Sequence, residues 1–338
     1  MIPTQTPGQT SKLVDRFGRV HTKLRVSVTD RCNIRCFYCM PEDEPEYVPR
    51  AEVLTFEEIE RFVRIMVGLG IRKVRLTGGE PLVRRGIPDL VAKLRGIDGL
   101  QGLSLTTNGL LLRDLADQLF DAGLRSVNVH LDTLDPDRFR FITRRDGLDR
   151  VLAGIDRCLE LGFTVKINAV AVKGLTEHDL VPMAQFAREK NVVVRFIEFM
   201  PLDASNAWER DRVLFADEIL SRLNAVFPAL EPVADQDPTA PAREYAFADG
   251  QGRIGIIATV SRPFCGRCNR LRITADGKFR YCLFATEEFD VKALLRGGAT
   301  DEEIRRYVLD AVSMKWEGHE INTARFIRPS RPMYSIGG

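Results

Sequence analysis

The sequence predicts an α/β protein: a partial (β/α)6, TIM-like barrel followed by a smaller C-terminal α+β domain. Two observations carry this. Six apolar, β-branched runs recur up to Met200, namely LRVSVT (24–29), KVRLTG (73–78), LSLTTN (103–108), SVNVHLD (126–132), TVKINAV (164–170) and VVVRFIE (192–198), with helical patterns between them. Beyond Met200 the rhythm gives way to Pro- and Asp-rich stretches at 201–206 and 234–244 and to hairpin-like patterns.

The first helix is the clearest. Thr55 and Glu58 form a capping-box pattern, Phe56, Ile59, Phe62, Val63 and Met66 share one face, and Gly70 stands where a C′ glycine belongs. The chain must then cross over to a parallel strand at Lys73. Six such strands close most of a barrel and leave a cleft, with ligands gathering at the C-terminal strand ends. A boundary near 210 divides the chain into 1–210 and 211–338. The second part reads as a helix at 216–227, hairpins at 245–258 and 269–283 (the latter turning at 275–277), a helix at about 300–314 and an irregular tail.

Composition narrows the function classes. The 338 residues are 44% hydrophobic, which supports a sizeable core, and 49 Lys plus Arg against 47 Asp plus Glu leave a net charge of only +2. No global field draws the chain to nucleic acid or to a membrane, so any anion site must be built locally. The N-terminal stretch has no apolar h-region, and no run approaches the roughly 20 apolar residues of a membrane span. A cytoplasmic protein is expected. Six of seven cysteines fall in two tight clusters, which in a reducing compartment points to metal before disulfides.

The first cluster is Cys32-x3-Cys36-x2-Cys39, directly after the first strand. Three thiolates hold three irons of a [4Fe–4S] cluster and leave the fourth open for chemistry. A zinc knuckle would want a fourth ligand, and no His or Cys stands nearby in sequence. The second cluster is Cys265-x2-Cys268 with Cys282 on the return arm of the 269–283 hairpin. Here half of a zinc ribbon is a stronger competitor, with His319 the one late imidazole. Cys158, at a helical position, reads as a buried, inert thiol.

The first triplet, with aromatic Tyr38 before its last Cys, resembles the signature of the radical S-adenosylmethionine superfamily. The resemblance implies that the open iron chelates S-adenosylmethionine, whose one-electron cleavage releases a 5′-deoxyadenosyl radical. Gly78-Gly79-Glu80-Pro81 is similar to the family segment whose backbone meets the ammonium of that ligand. Together with the second triplet, the chain from DRFGRVHTKLRVSVTDRCNIRCFYCMP through CGRCNRLRIT to Gly337-Gly338 resembles the GTP 3′,8-cyclases. That resemblance implies a second [4Fe–4S] cluster, on Cys265, Cys268 and Cys282, whose open iron meets the guanine of GTP. It also implies GTP contacts at Arg25, Arg75, Thr106, Lys166, Arg270, Leu271 and Arg272, and S-adenosylmethionine contacts at Tyr38, Gly79, Met200 and His130. His130 stands where the family commonly has Ser.

The implied reaction joins C3′ of GTP to guanine C8, the first step of molybdenum cofactor biosynthesis, with Gly337 and Gly338 completing the active site. The implied partners are a flavodoxin- or ferredoxin-type reductant and, by pathway, a downstream cyclic pyranopterin monophosphate synthase; a homodimer is left open. Two other readings compete. A peptide-maturing radical enzyme with an auxiliary cluster would generally use more cysteines and gives no reason for the Arg/Lys set. A non-catalytic iron–sulfur or zinc module would close its metal coordination.

Overall fold

The computed structural model describes residues 12–43, 45–204 and 208–337. Six parallel strands, β1 (Lys23–Ser27), β2 (Lys73–Thr77), β3 (Gly102–Thr107), β4 (Ser126–His130), β5 (Thr164–Ala171) and β6 (Val193–Glu198), lie within two residues of the expected runs at each end. Between and after them come α1 (Phe56–Gly68), α2 (Ile87–Arg95), α3 (Leu112–Asp121), α4 (Pro136–Thr143), α5 (Leu148–Glu160) and α6 (Leu180–Glu189). The second half supplies α7 (Ala216–Asn224), β7 (Glu231–Pro232), β8 (Arg243–Ala246), β9 (Arg253–Ile257), β10 (Arg270–Ile273), β11 (Lys278–Arg280), β12 (Phe289–Asp290), α8 (Val291–Arg296), α9 (Asp301–Ser313) and α10 (Met333–Ile336).

Among the described residues one sheet holds all twelve strands, in the order β12-β11-β10-β1-β2-β3-β4-β5-β6-β9-β8-β7. The parallel part therefore has eight strands where the sequence suggested six: β9 adds to β6, and β10 adds to β1. Both come from beyond residue 210, so the two halves of the chain share a sheet. Pairing across such sequence distance leaves no local signal, whereas the hairpins β8/β9 and β10/β11 do, and both form as expected. β9 and β10 do not pair with each other, so the ring stays open there.

Strand alternation divides the side chains into two layers. Outward positions such as Leu24, Val26, Val74, Leu76, Leu105, Val127, Val129, Ile167, Val194 and Phe196 are buried in the core. Most inward positions are polar or charged, among them Arg25, Arg75, Ser104, Asn128, Lys166, Asn168 and Arg195, with Val170 and Ile197 as apolar exceptions. Hydrophobic burial thus stabilises the outside of the barrel and leaves its inside free for chemistry.

Thr55 caps α1 as the pattern predicts: Thr55 Oγ1 accepts from Glu58 N at 3.1 Å, and Glu58 Oε2 accepts from Thr55 N at 2.7 Å. Gly70 follows with φ +109°, a conformation open to glycine. Cys158 is fully buried in α5, and burial pushes its thiol up to about 12. Thr55→Ala removes one half of the capping box and should cost about 1 kcal/mol. The urea midpoint of the iron-free chain measures it, and an unchanged midpoint would show the cap to be dispensable.

Candidate active site

The loop after β1 folds Cys36 and Cys39 into a tight turn, with Cys36 O accepting from Cys39 N and Met40 N, each at 2.9 Å. Asn108 Nδ2 donates to Cys32 Sγ at 3.7 Å. Gly78 and Gly79 lie flat against this loop. A Cβ on Gly79 would stand 2.5 Å from Arg31 O and 2.6 Å from Asp30 O, and Gly79 N donates to Thr29 O at 2.7 Å. The two glycines are therefore required to seat the cysteine loop. Burial, and then the Glu80 carboxylate, pushes the Cys32 thiol up to about 12; burial, Cys36 and Cys32 likewise raise Cys39. Cys36 acts on both of the others, so the three thiols are close neighbours that suit a positively charged iron group.

Tyr38 donates its hydroxyl to Asp132 Oδ2 and touches His130 Nε2. Asp132 Oδ2 lies 3.1 Å from His130 Nε2, while its Oδ1 accepts from Val170 N at 2.7 Å. Burial works against a charged imidazole, yet the Asp132 carboxylate and then Cys36 carry His130 well above its ordinary value. His130 thus belongs to a Tyr38–Asp132 network at the cavity wall. Met200 lines the same wall.

The second triplet forms in a different way. Cys268 N donates to Cys265 O at 3.0 Å in a single tight turn, and the β10/β11 ladder, pairing Arg272 with Arg280, returns Cys282 alongside. Arg19 pins this region from the N-terminal segment: Nη1 donates to Cys265 O and Glu317 O, both at 2.8 Å, and Nη2 to Trp316 O at 2.5 Å. Asp15 Oδ2 holds Arg19 Nε at 2.6 Å and His21 Nε2 at 3.0 Å, all buried. Burial raises Cys265 to about 11. Burial would raise Cys268 too, but Arg270 and Lys315 overcome it and bring that thiol down to about 6.

Strand polarity separates the triplets. Cys32 follows the C-terminal end of β1, whereas Cys268 precedes the N-terminal end of β10, where Arg270 pairs with Lys23. A strand of this length, at roughly 3.3 Å per residue, spans about 16 Å. One cavity of about 290 Å³ runs between the two ends and is lined by all six cysteines.

Guanidiniums dominate its middle. Arg25, Arg75, Arg270 and Arg272 line it, with Thr106. Arg25 pairs in register with both Arg75 and Arg272. Burial, and then neighbouring guanidiniums, pushes Arg75 and Arg272 down to about 10 and lowers Arg25 as well. Asn128 meets Arg75 with its amide oxygen, 2.8 Å from Nη1. Arg195 joins the set and was missed at the sequence level, though alternation in β6 places it inward beside Asn168. Two expected contacts sit differently. Leu271 alternates to the outer face and is fully buried in the core, so its side chain is turned from the cavity. Lys166 lies outside the lining, 4.0 Å from Glu244 Oε1.

Four buried polar atoms on cavity residues, Thr77 Oγ1, Asn168 Oδ1, Arg195 Nε and Arg270 Nε, have no hydrogen-bond partner among the described residues. Such atoms suit a polar ligand. The tail reaches the same place. Met333 and Tyr334 line the cavity, and Gly337 O accepts from Arg272 Nη1 at 3.4 Å. Gly337 has φ +85°, and a Cβ there would meet Ser27 Cβ at 2.6 Å. Gly338 lies outside the described residues.

Comparison with known proteins agrees with this geometry. Residues 26–187 match the model of the radical SAM superfamily, and residues 192–321 that described as Molybdenum Cofactor Synthesis C. The GTP 3′,8-cyclase of Rhodopirellula baltica is 51% identical over 330 residues, 96% of this chain and 92% of its own. That of Streptomyces coelicolor is 45% identical and covers 96% of each chain. The chain belongs to the GTP 3′,8-cyclase family. Molybdenum cofactor biosynthesis protein 1 of Mus musculus is 43% identical over 96% of this chain, which spans 51% of that longer protein. Streptococcus suis SuiB, solved with S-adenosylmethionine, superimposes with a TM-score of 0.57 at 16% identity, over 85% of this chain and 68% of SuiB. At that identity the likeness concerns the fold alone.

As a radical SAM enzyme, this GTP 3′,8-cyclase family member uses a [4Fe–4S] cluster and S-adenosylmethionine, and the mutually close Cys32, Cys36 and Cys39 beside the cavity fit that group. The cysteines also differ testably in the iron-free chain. At pH 7 Cys268 should be alkylated by iodoacetamide well before Cys32 and Cys265, because it alone of the three is mainly thiolate there. Its rate should fall as pH drops through about 6, where the thiolate takes up a proton. Peptide mass spectrometry reads the order, and equal rates would remove the cationic effect assigned to Arg270 and Lys315.

Proposed function

We propose that this enzyme cyclises GTP to (8S)-3′,8-cyclo-7,8-dihydroguanosine 5′-triphosphate, with Cys32, Cys36 and Cys39 holding one [4Fe–4S] cluster and Cys265, Cys268 and Cys282 a second. The observation that carries the reading is the single cavity joining both triplets through Arg25, Arg75, Arg195, Arg270 and Arg272. Convergent guanidiniums in a protein of net charge +2 answer to a polyanion, and a triphosphate is one. When bound, the first cluster and S-adenosylmethionine supply the one-electron chemistry that removes the C3′ hydrogen atom of GTP.

The chain's own residues hold and orient. Tyr38, Gly79, His130 and Met200 border the S-adenosylmethionine end, where Tyr38 and His130 are fixed by Asp132. The guanidiniums and Thr106 grip the nucleotide, with Lys166 contributing through the field it adds at the lower end of β5. The second triplet fits a cluster by its three thiolate donors at the cavity's far end and by Arg270 and Lys315, which favour a thiolate at Cys268. Gly337, held by Arg272, shields the reacting carbon and keeps it near the abstracting group, a role in which the terminal Gly338 shares. Residues 1–210 thus serve cofactor cleavage and supply part of the nucleotide grip, while 211–338 bring the second triplet, Arg270, Arg272 and the tail. A flavodoxin- or ferredoxin-type protein in the cytoplasm delivers the electron, and a synthase of cyclic pyranopterin monophosphate takes the product.

The test is anaerobic reconstitution with GTP, S-adenosylmethionine and reductant, followed by product analysis. Methionine, 5′-deoxyadenosine and a cyclised nucleotide are expected. Ala at Cys32, Cys36 and Cys39 should abolish cofactor cleavage; Ala at Cys265, Cys268 and Cys282 should spare much uncoupled cleavage yet give no cyclised product. A chain lacking Gly337 and Gly338 should keep its iron and lose coupled product. A protein that binds only zinc would end the proposal.

The guanidiniums give a separate prediction. Arg270→Ala and Arg272→Ala should each weaken GTP by roughly 1.5–3 kcal/mol, about ten- to a hundred-fold, while guanosine changes less. Calorimetry on the reconstituted protein measures both ligands, and equal losses would place these side chains away from the phosphates.

A further inference from the structure

We propose that Lys315 is the resident countercharge of the second cysteine triplet, a positioning residue that sets the reduction potential of the cluster held there. The inference rests on the reading of Cys265, Cys268 and Cys282 as cluster ligands and goes beyond it. Lys315 is 2% exposed, stands two residues beyond the end of α9 and lies behind Cys268, outside the cavity lining. Its three donors are all engaged. Nζ donates to Tyr281 O at 2.8 Å, to Arg270 O at 2.9 Å and to Cys268 Sγ at 3.8 Å. Tyr281 precedes Cys282, and Arg270 stands two residues after Cys268, so one ammonium ties together the two arms that carry these ligands.

A buried ammonium needs an anion. Burial works against the Lys315 charge, Arg19 and Arg270 repel it, and the groups that favour it are the cysteines Cys268 and Cys282. The Asp15 carboxylate, which anchors Arg19, is itself taken by Arg19 and His21. Among the described residues, the partner that remains is the ligand set itself. A cubane on three thiolates is a net anion, and one unit more negative after reduction, so a fixed cation beside a ligand sulfur favours the reduced state. Hydrogen bonds to ligand sulfurs act in the same direction.

Neighbouring structure holds the charge in place. Lys315 N donates to Val312 O at 3.0 Å, and the next two carbonyls, of Trp316 and Glu317, are gripped by Arg19. Lys315 cannot swing toward water without unseating that segment. Phosphate binding is no competing role, because the side chain stands behind the cysteines.

The complete, reconstituted protein is titrated with dithionite under electron paramagnetic resonance, with iron counted in every sample. The wild type should show two one-electron steps. Lys315→Met, which removes charge and donors, should lower the midpoint of one step and leave the other, that of the Cys32–Cys36–Cys39 cluster, as an internal reference. Lys315→Gln keeps donors without charge and should fall between, while Lys315→Arg should stay near the wild type. Unmoved midpoints in Met and Gln variants with full iron would overturn the assignment, as would loss of the second cluster's iron in Met, Gln and Arg variants alike. A wild type holding only one cubane's worth of iron would instead sink the two-cluster reading, whatever Lys315 does.

Discussion

Like charges gathered inside a barrel are the constraint on which the rest of this molecule depends. A closed parallel barrel fills its interior with layers of branched apolar side chains. Here five arginines line the interior, and the carboxylates within reach do not balance them. Glu198 is taken up by the backbone N–H groups of Ala216, Val260 and Ser261, and Glu244 engages Arg195. Burial and mutual repulsion both act against Arg25, Arg75 and Arg272. The fold tolerates this because its apolar packing lies outside the sheet, between strands and helices, and because the ring stays open between β9 and β10. The deficit is relieved when an anion enters.

That division of labour also explains what was legible in the sequence. The strands of the first half were readable because their apolar, β-branched runs recur with helical patterns between them, and α1 because cap, stripe and terminal glycine agree. The cysteine triplets were readable because their spacing is local. What escaped was non-local. Arg19 reaches Cys265 from 246 residues away, and β9 and β10 join strands from the opposite half of the chain. Asp132, two residues from His130, is a buried anchor for Tyr38 that no motif announces. Leu271 shows the converse limit: set between two arginines it shares their motif, while the pleat sends its side chain to the other face.

Strand length then shapes what the cavity accepts. About 16 Å of β1 separates the ends at which the two triplets stand, too far for them to share one ligand atom. Whatever connects them must be elongated, with negative charge at mid-barrel, where Arg25, Arg75 and Arg272 stand in register. A nucleotide meets these conditions, with a flat polar base for one end, a phosphate chain for the guanidiniums and a ribose carbon turned toward the other end. A peptide would satisfy the length but leave the guanidiniums unanswered. The tail fits the same logic: Gly337 gives Arg272 a carbonyl and fits between Ser27 and Thr77 where any side chain would collide. The positive charge gathered inside the barrel thus also holds the end of the chain.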